Sequence, residues 1–408
     1  MSAVKGASLE MAAPLEGEMK SMQIGLGAAL NAAAAEAQVE TSPEGSLLRR
    51  RRRFAVMACL GAVSLIFVMG VTSLRSYERR SDEWSSRWPL RAEILAASGA
   101  AGDALAPVEV SRSSRVRAGG VDFVVLLADG GAKAKAAGDE GGDDGDPFAP
   151  AAVAANPALL VRETVFGAYA LVLNKFPALP HHALLVTKAF APQDWRLTKA
   201  DLDALHRCAA AADALGFYNS DAVAGASQPH RHFQLVFNDA FGDVLVDDAG
   251  AAPAESFGVT TPPIQAAIDL LPREDWAWSA KAPFAPKVRS LAALDGIAHG
   301  VVQLPERATY HIDFQGDGGF DVALLRAYAA LLGALDLFEQ PPYNLLLSRR
   351  WMLVVKRAHR DGEGVDINAL GYAGCLLARD EAAFDALAAR GGAGPLAALR
   401  AAAVPRAV

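Results

Sequence analysis

The stretch Gly225-Ala226-Ser227-Gln228-Pro229-His230-Arg231-His232-Phe233-Gln234 governs the reading of this chain. Beyond Pro229, polar and apolar residues alternate as they do in a strand with one buried face. Side chains two apart share a face, so His230, His232 and Gln234 point one way. Arg231 begins the other face, and Phe233, Leu235 and Phe237 complete it as an apolar stripe. Two imidazoles and an amide aligned on one face make a poor core and a usable site. A metal pair is the other reading of two histidines, but no Cys, Asp or Glu in the motif completes a ligand set. Ahead of the strand, Gly225 allows close backbone approach to a ligand. Ser227 and Gln228 add side-chain donors beside main-chain N–H groups, an arrangement suited to phosphate.

Outward from this stretch, Thr198 reads as the cap of a helix with Asp201 in its first turn, closed at Gly216. Leu171–Leu173 and Ala183–Thr187 are apolar runs bounded by Pro and Asn, hence strands. Val121–Leu126 reads as a strand, Trp88–Ala97 as a short helix, and Ala128–Asp146 as a mobile surface loop. Asp239–Pro283 is a connection. A second block, Ala298 to Ala403, carries a helix at Asp321–Leu335, strands at Tyr343–Leu347 and Met352–Lys356, and an Ala-rich helical tail. Strands and helices mix without a regular βαβ period, which favours α+β over a doubly wound sheet.

The chain has 408 residues, 52% hydrophobic and 21% charged, with net charge −7. That balance excludes a mostly disordered chain and a broadly basic surface for nucleic acid. Cys59, Cys208 and Cys375 lie far apart and match neither a zinc nor a redox spacing. Residues 1–48 read as a disordered, solvated tail with a short helix near Gly27–Ala35. The six glutamates of Met1–Ser46 argue against an organellar transit peptide.

Arg49–Arg53 then abut Phe54–Leu74, 21 residues without a charge. At about 1.5 Å per residue that run is long enough to cross a bilayer core. One transmembrane helix within 49–80 is therefore expected, and with it a single-pass membrane protein. Its orientation stays open because Arg75, Arg79, Arg80, Arg87 and Arg91 follow the run. The catalytic part is thus cytosolic or organellar. The expected organisation continues with an N-terminal catalytic region at 84–240, a connection at 241–297 and a C-terminal region at 298–408. His206, His299, His311 and His359 are expected to be structural.

His230-Arg231-His232-Phe233-Gln234 resembles the signature of the histidine-triad superfamily, in the branch where Gln replaces the third histidine. More closely, the chain resembles the diadenosine tetraphosphate (Ap4A) phosphorylases, or ATP adenylyltransferases. Three stretches carry this likeness. The first is Leu173-Asn174-Lys175-Phe176-Pro177 with His182–Thr187, and the second runs from Phe217 to Gln234. The third is Tyr343–Met352 with Asn368–Gly374. The resemblance runs from Trp88 to Ala403 and leaves the N-terminal tail aside. It implies a histidine-triad-like antiparallel sheet with packed helices.

The resemblance also implies an enzyme, with His232 as the nucleophile on the α-phosphorus of Ap4A. ATP leaves, an adenylyl-histidine forms, and phosphate converts it to ADP, reversibly. His230 would hold the ring of His232 or contact phosphate oxygens. Gln234 can donate a hydrogen bond but has no titratable proton, which suits a polyphosphate leaving group. Asn174, Lys175, Asn219, Gly225, Ala226, Ser227, Gln228 and Gln234 are implied in the substrate site, with either Lys133 or Lys135 from the loop. Asn344, Ser348, Met352 and Lys356 are candidates for the other nucleotide end, their bland alternative being strand and core packing.

No tightly bound cofactor is expected, although Mg²⁺ would accompany the polyphosphate. The expected ligands are Ap4A, ATP, ADP and phosphate, with no nucleic acid, and the expected state is a monomer. Two alternatives remain. One is a hexose-1-phosphate uridylyltransferase, a family with Pro between its histidines where this chain has Arg231. The other is a membrane-tethered nucleotide-binding protein without turnover.

Overall fold

The computed structural model describes residues 88–128, 145–244, 260–272, 286–305, 323–389 and 393–406. A small sheet joins β1 (Val110–Ala118) and β2 (Val121–Ala128) antiparallel, with β13 (Cys375–Ala378) added parallel to β2. A large sheet of eight strands is antiparallel throughout. Its order from edge to edge is β3 (Leu160–Val165), β4 (Tyr169–Leu173), β5 (Ala183–Thr187), β7 (His232–Phe237), β6 (Ala214–Asn219), β9 (Tyr343–Leu347), β10 (Trp351–Lys356) and β8 (His299–Gln303). A two-stranded ribbon, β11 (Asp361–Gly362) and β12 (Val365–Asp366), completes the described strands. The early and late parts of the sequence therefore share one sheet, joined where β6 pairs with β9. Antiparallel sheets with packed helices are the α+β arrangement the sequence suggests.

Three main helices pack on these sheets: α1 (Leu90–Ala100), α2 (Lys199–Ala212) and α3 (Ala323–Ala334). A capping box opens α2. The Thr198 hydroxyl accepts from the Asp201 main-chain N–H, and the Asp201 carboxylate accepts from the Thr198 N–H. The helix ends earlier than expected. Asp213 takes the left-handed conformation at φ +50° and donates its N–H to Ala209 O, so β6 begins at Ala214. Gly216 sits inside β6, where a Cβ would come 2.8 Å from Leu205 Cδ1 of α2. It serves close packing of helix on sheet, and the helix stop belongs to Asp213.

The transmembrane expectation is overturned. No helix among the described residues is long and apolar enough to cross a membrane. The longest of them, α2, has 14 residues, which at about 1.5 Å each fall short of a hydrocarbon core roughly 30 Å thick. Phe54–Leu74 itself lies outside the described residues. The expected membrane anchor and the single-pass membrane localisation are both withdrawn. The tail expected at 1–48 also lies outside the described residues.

The two faces of the large sheet are unequal. Leu171, Leu185, Phe233 and Leu235 face the main core, which α2 covers with Leu202, Leu205, Cys208 and Ala209. Ala170, Val172, Leu184 and Val186 alternate with them on the other face, in a small cluster closed by Phe148, Val153 and Leu160. Val186 pairs with His232 and Leu184 with Gln234, so the expected site residues belong to this second face.

Candidate active site

Strand register assembles the site. Phe217 of β6 stands opposite Gln234 of β7, and Asn219 of β6 opposite Asn344 of β9. His232, Gln234, Phe217, Asn219 and Asn344 therefore share one face. His232 is 3% exposed. Its Nδ1 lies 2.9 Å from the His230 carbonyl oxygen, which can only accept, so Nδ1 carries the proton and Nε2 keeps its lone pair. Burial pulls the His232 pKa down to about 4; the bond to the His230 carbonyl opposes the shift and the His230 ring adds to it. At neutral pH this ring is uncharged, with the Nε2 lone pair available.

His230 is engaged at both nitrogens. Nδ1 lies 2.5 Å from the Asp146 carboxylate, and Nε2 lies 2.9 Å from Thr187 Oγ1 and 2.7 Å from Thr187 O. The His230 carbonyl bonds to the ring of His232, and protein groups engage both nitrogens of its own side chain. Phe148 and Phe190 flank the pair, with Phe148 centred 5.0 Å from the His232 ring and Phe190 centred 5.3 Å from the His230 ring.

The β6–β7 ladder ends at Phe217 and Gln234. Beyond that point Gln193 stands in for the ladder. Its Oε1 accepts from the His232 main-chain N–H at 2.9 Å, and its Nε2 donates to Asn219 O at 2.7 Å and to His232 O at 3.2 Å. One side-chain amide thus spreads the two strands at His232 while satisfying the backbone groups that the separation leaves bare.

The loop bearing Gln193 is tied to the histidine strand by two main-chain bonds. Gln193 N–H donates to Pro229 O, and Arg231 N–H donates to Ala191 O, both at 2.8 Å. Arg231 fixes it further. It is buried and donates to Asp201 Oδ2 at 2.9 Å, to Pro192 O at 3.1 Å and to Trp195 O at 2.9 Å. Asp201 also accepts from the Tyr169 hydroxyl at 2.8 Å and closes the capping box of α2. A continuous set of bonds therefore runs from the start of α2 through Arg231 and Gln193 to the backbone of His232.

The turn after β6 is shaped from below. Asn344 Nδ2 donates to Asn219 Oδ1 at 2.8 Å and to Ala224 O at 2.7 Å, and Asn219 Oδ1 also accepts from Ala369 N–H at 3.0 Å. Both amides are buried and bond to the loop and to each other. Arg357, 2% exposed, spends all five N–H donors on oxygens of Ala402, Ala224, Asn344, His359 and Arg360. None of those acceptors is a carboxylate. Gly225 has φ +98°, and a Cβ there would lie 2.8 Å from Asn368 Cβ. The glycine makes room for the protein's own Asn368, a different reason from the ligand approach that the sequence suggested. Ser227 is exposed, and Gln228 and Gln234 are half-buried; their side chains stay outside the hydrogen-bond network among the described residues.

The other expected residues are placed as follows. Asn174 shapes a turn, donating to His182 Nδ1 at 3.1 Å and accepting from Phe176 N–H at 3.1 Å. Lys175 is exposed beside it. Ala226 is buried in the loop. Ser348 Oγ accepts from the Arg350 and Trp351 N–H groups in the β9–β10 turn, and Met352 is wholly buried in the core. Register puts both at the end of β9 and β10 away from Asn344. Lys356 caps the end of α3 by donating to Leu335 O and Asp336 O. Lys133 and Lys135 lie outside the described residues. Among the described residues, no group of three or more His, Cys, Asp or Glu could hold a metal ion.

Asp146, Thr187, Gln193 and Arg357 escape the sequence reading. Their only hint there is the Asp146-Pro147-Phe148 turn.

Residues 88–244 match the Ap4A phosphorylase N-terminal domain, and residues 301–405 match the ATP adenylyltransferase C-terminal domain. Diadenosine 5',5'''-P1,P4-tetraphosphate phosphorylase 2 of Saccharomyces cerevisiae is 30% identical over 266 residues, 58% of this chain and 69% of that protein. This chain belongs to the Ap4A phosphorylase family. A second yeast relative, Protein APA1, is 30% identical over 240 residues, 53% of this chain and 63% of its own length. Among solved structures, yeast Ap4A phosphorylase Apa2 superposes with TM-score 0.56 at 25% identity, covering 78% of this chain and 95% of that one. Its complex with AMP, at TM-score 0.58 and 24% identity, shares the fold over 78% of this chain and 98% of its own. In this member of the Ap4A phosphorylase family, the two matched domains meet within the large sheet, β6 and β7 coming from the first and β9 and β10 from the second.

Proposed function

We propose that the chain catalyses phosphorolysis of Ap4A to ATP and ADP through a covalent adenylyl group on His232. Family membership supports the reaction class, and the bond from His232 Nδ1–H to the His230 carbonyl is the observation that carries the mechanism. With Nδ1 protonated, Nε2 attacks the α-phosphorus. The bond from that phosphorus to its bridging oxygen breaks, and ATP leaves with the electron pair. The positive charge that develops on the ring is shared with the His230 carbonyl through Nδ1–H. An oxygen of inorganic phosphate then attacks the same phosphorus, the N–P bond breaks, and ADP leaves while His232 returns to its neutral form. Each step is the microscopic reverse of a synthetic one, so ATP and ADP would give Ap4A.

A polyphosphate leaves without needing a proton, so the amide of Gln234 suffices as a hydrogen-bond donor to its oxygens. Ser227, Gln228 and Lys175 are the proposed substrate contacts from the loops, and Mg²⁺ would enter with the polyphosphate. Asn219 and Asn344 act one layer down by holding the loop.

The product assay tests this reading. With Ap4A and phosphate the enzyme should release equimolar ATP and ADP, and His232→Ala should abolish release while still binding nucleotide. UDP-glucose with galactose 1-phosphate should give no exchange. Turnover of that pair, or nucleotide binding without any turnover of Ap4A, would overturn the proposal.

A further inference from the structure

We propose that Asp146 is a positioning residue for the histidine pair, acting through the two oxygens of one carboxylate. Oδ2 lies 2.5 Å from His230 Nδ1, across 84 residues of sequence. Oδ1 accepts from the Phe148 main-chain N–H at 2.9 Å, closing an Asx turn. That turn holds the Phe148 ring 5.0 Å from the ring of His232 and 6.0 Å from that of His230. A single side chain therefore sets both the ring of His230 and the aromatic wall beside the nucleophile.

The consequence for chemistry follows from the bonding. A carboxylate facing Nδ1 requires that nitrogen to carry a proton, and Thr187 engages the opposite nitrogen. His230 is then locked in one orientation, and with it the carbonyl that fixes the tautomer of His232. A displacement of about 1 Å in such a support is enough to slow chemistry roughly 10²-fold without touching the substrate.

The inference rests on the reading of His232 as the nucleophile. The two are separated by measuring adenylylation of His232, kcat, KM and melting temperature for the wild type, Asp146→Ala and Asp146→Asn, with the ring ¹⁵N shifts of His230. Asparagine can keep the Asx turn through its oxygen but turns an N–H₂ toward His230 Nδ1, so that Nδ1 must accept and give up its proton while Nε2 keeps the one it donates to Thr187 O. The expected result is a kcat lower by about ten- to a hundredfold in both variants, with KM for Ap4A within about threefold. His230 should lose its Nδ1–H signature in Asp146→Asn while the melting temperature stays near wild type. Unchanged kcat in both variants, or kcat, KM and melting temperature all falling together, would overturn the role of Asp146 alone. Absence of an adenylyl group on wild-type His232 would instead overturn the mechanism beneath it, and the ¹⁵N shifts would still report the Asp146–His230 contact.

Discussion

His232 donates its Nδ1–H to the main-chain carbonyl of His230, two residues earlier on the same strand. The two groups belong to one strand, so the tautomer of His232 is a property of the strand itself. Burial adds the second condition by keeping the ring neutral. Together they leave Nε2 as a lone pair at physiological pH without a separate general base.

The pH dependence of the first chemical step follows. The proposed mechanism needs His232 deprotonated, and burial pulls its pKa down to about 4, below the ordinary histidine value. Single-turnover release of ATP should therefore run flat from about pH 6 to 8, with an acid limb below about 5. A limb centred near 6.5 would show that the ring titrates as an exposed histidine does.

Stability should change in the same direction. His206 and His232, both held at about 4, and His299, also lowered by burial, stay neutral in the fold. On unfolding, each takes up a proton below about pH 6.5, so the unfolded state binds more protons and stability falls as pH drops from 6.5 towards 4. Each of the first two contributes up to about 3 kcal/mol to that loss. Melting temperatures across this range, compared with His206→Gln, measure the slope, which should flatten in the variant.

Gln193 gives the sharpest test of strand separation. Gln193→Met keeps the side-chain length and strips three hydrogen bonds, leaving His232 N–H and Asn219 O without their partner. A loss of about 2–3 kcal/mol in stability is expected by denaturant unfolding. kcat should fall at least about tenfold as the backbone of His232 shifts. Wild-type kcat in this variant would show that the amide fills space only.

Arg231→Met removes one member of a buried ion pair and three carbonyl contacts. Leaving Asp201 charged and buried should lower stability by about 3–5 kcal/mol. Asp201→Asn in the same background should recover part of it, which a double-mutant cycle would read directly.

Gly225→Ala places a Cβ 2.8 Å from Asn368 Cβ at φ +98°. Strain of about 1–3 kcal/mol is expected, together with a raised KM for Ap4A because the loop carrying Ser227 and Gln228 must move. Asn368→Gly in the same chain should relieve the contact but leave the positive φ, giving partial recovery.

Much of the fold was legible because its signals are local. Alternation after Pro229 marked β7 and its polar face, and Thr198 with Asp201 marked the start of α2, each within a few residues. The end of α2 was misread because Gly216 looked like a stop, while the conformation that ends it belongs to Asp213. The shared face of His232 and Gln234 is legible for the same local reason. Asp146, Gln193 and Arg357 were not, since each acts across long separations, such as the 133 residues between Arg357 and Ala224. No periodicity announces a side chain that works on a distant backbone. The uncharged run at Phe54–Leu74 shows the converse: local composition suggested a span that the described helices do not provide.

The most direct test is peptide mass spectrometry after incubating the enzyme with Ap4A in the absence of phosphate. A gain of one AMP moiety is expected on the peptide containing His232, located on that residue, with one equivalent of ATP released. Adding phosphate should then remove the mark and release ADP. Turnover of Ap4A with no adduct, an adduct on another residue, or continued turnover by His232→Ala would contradict it.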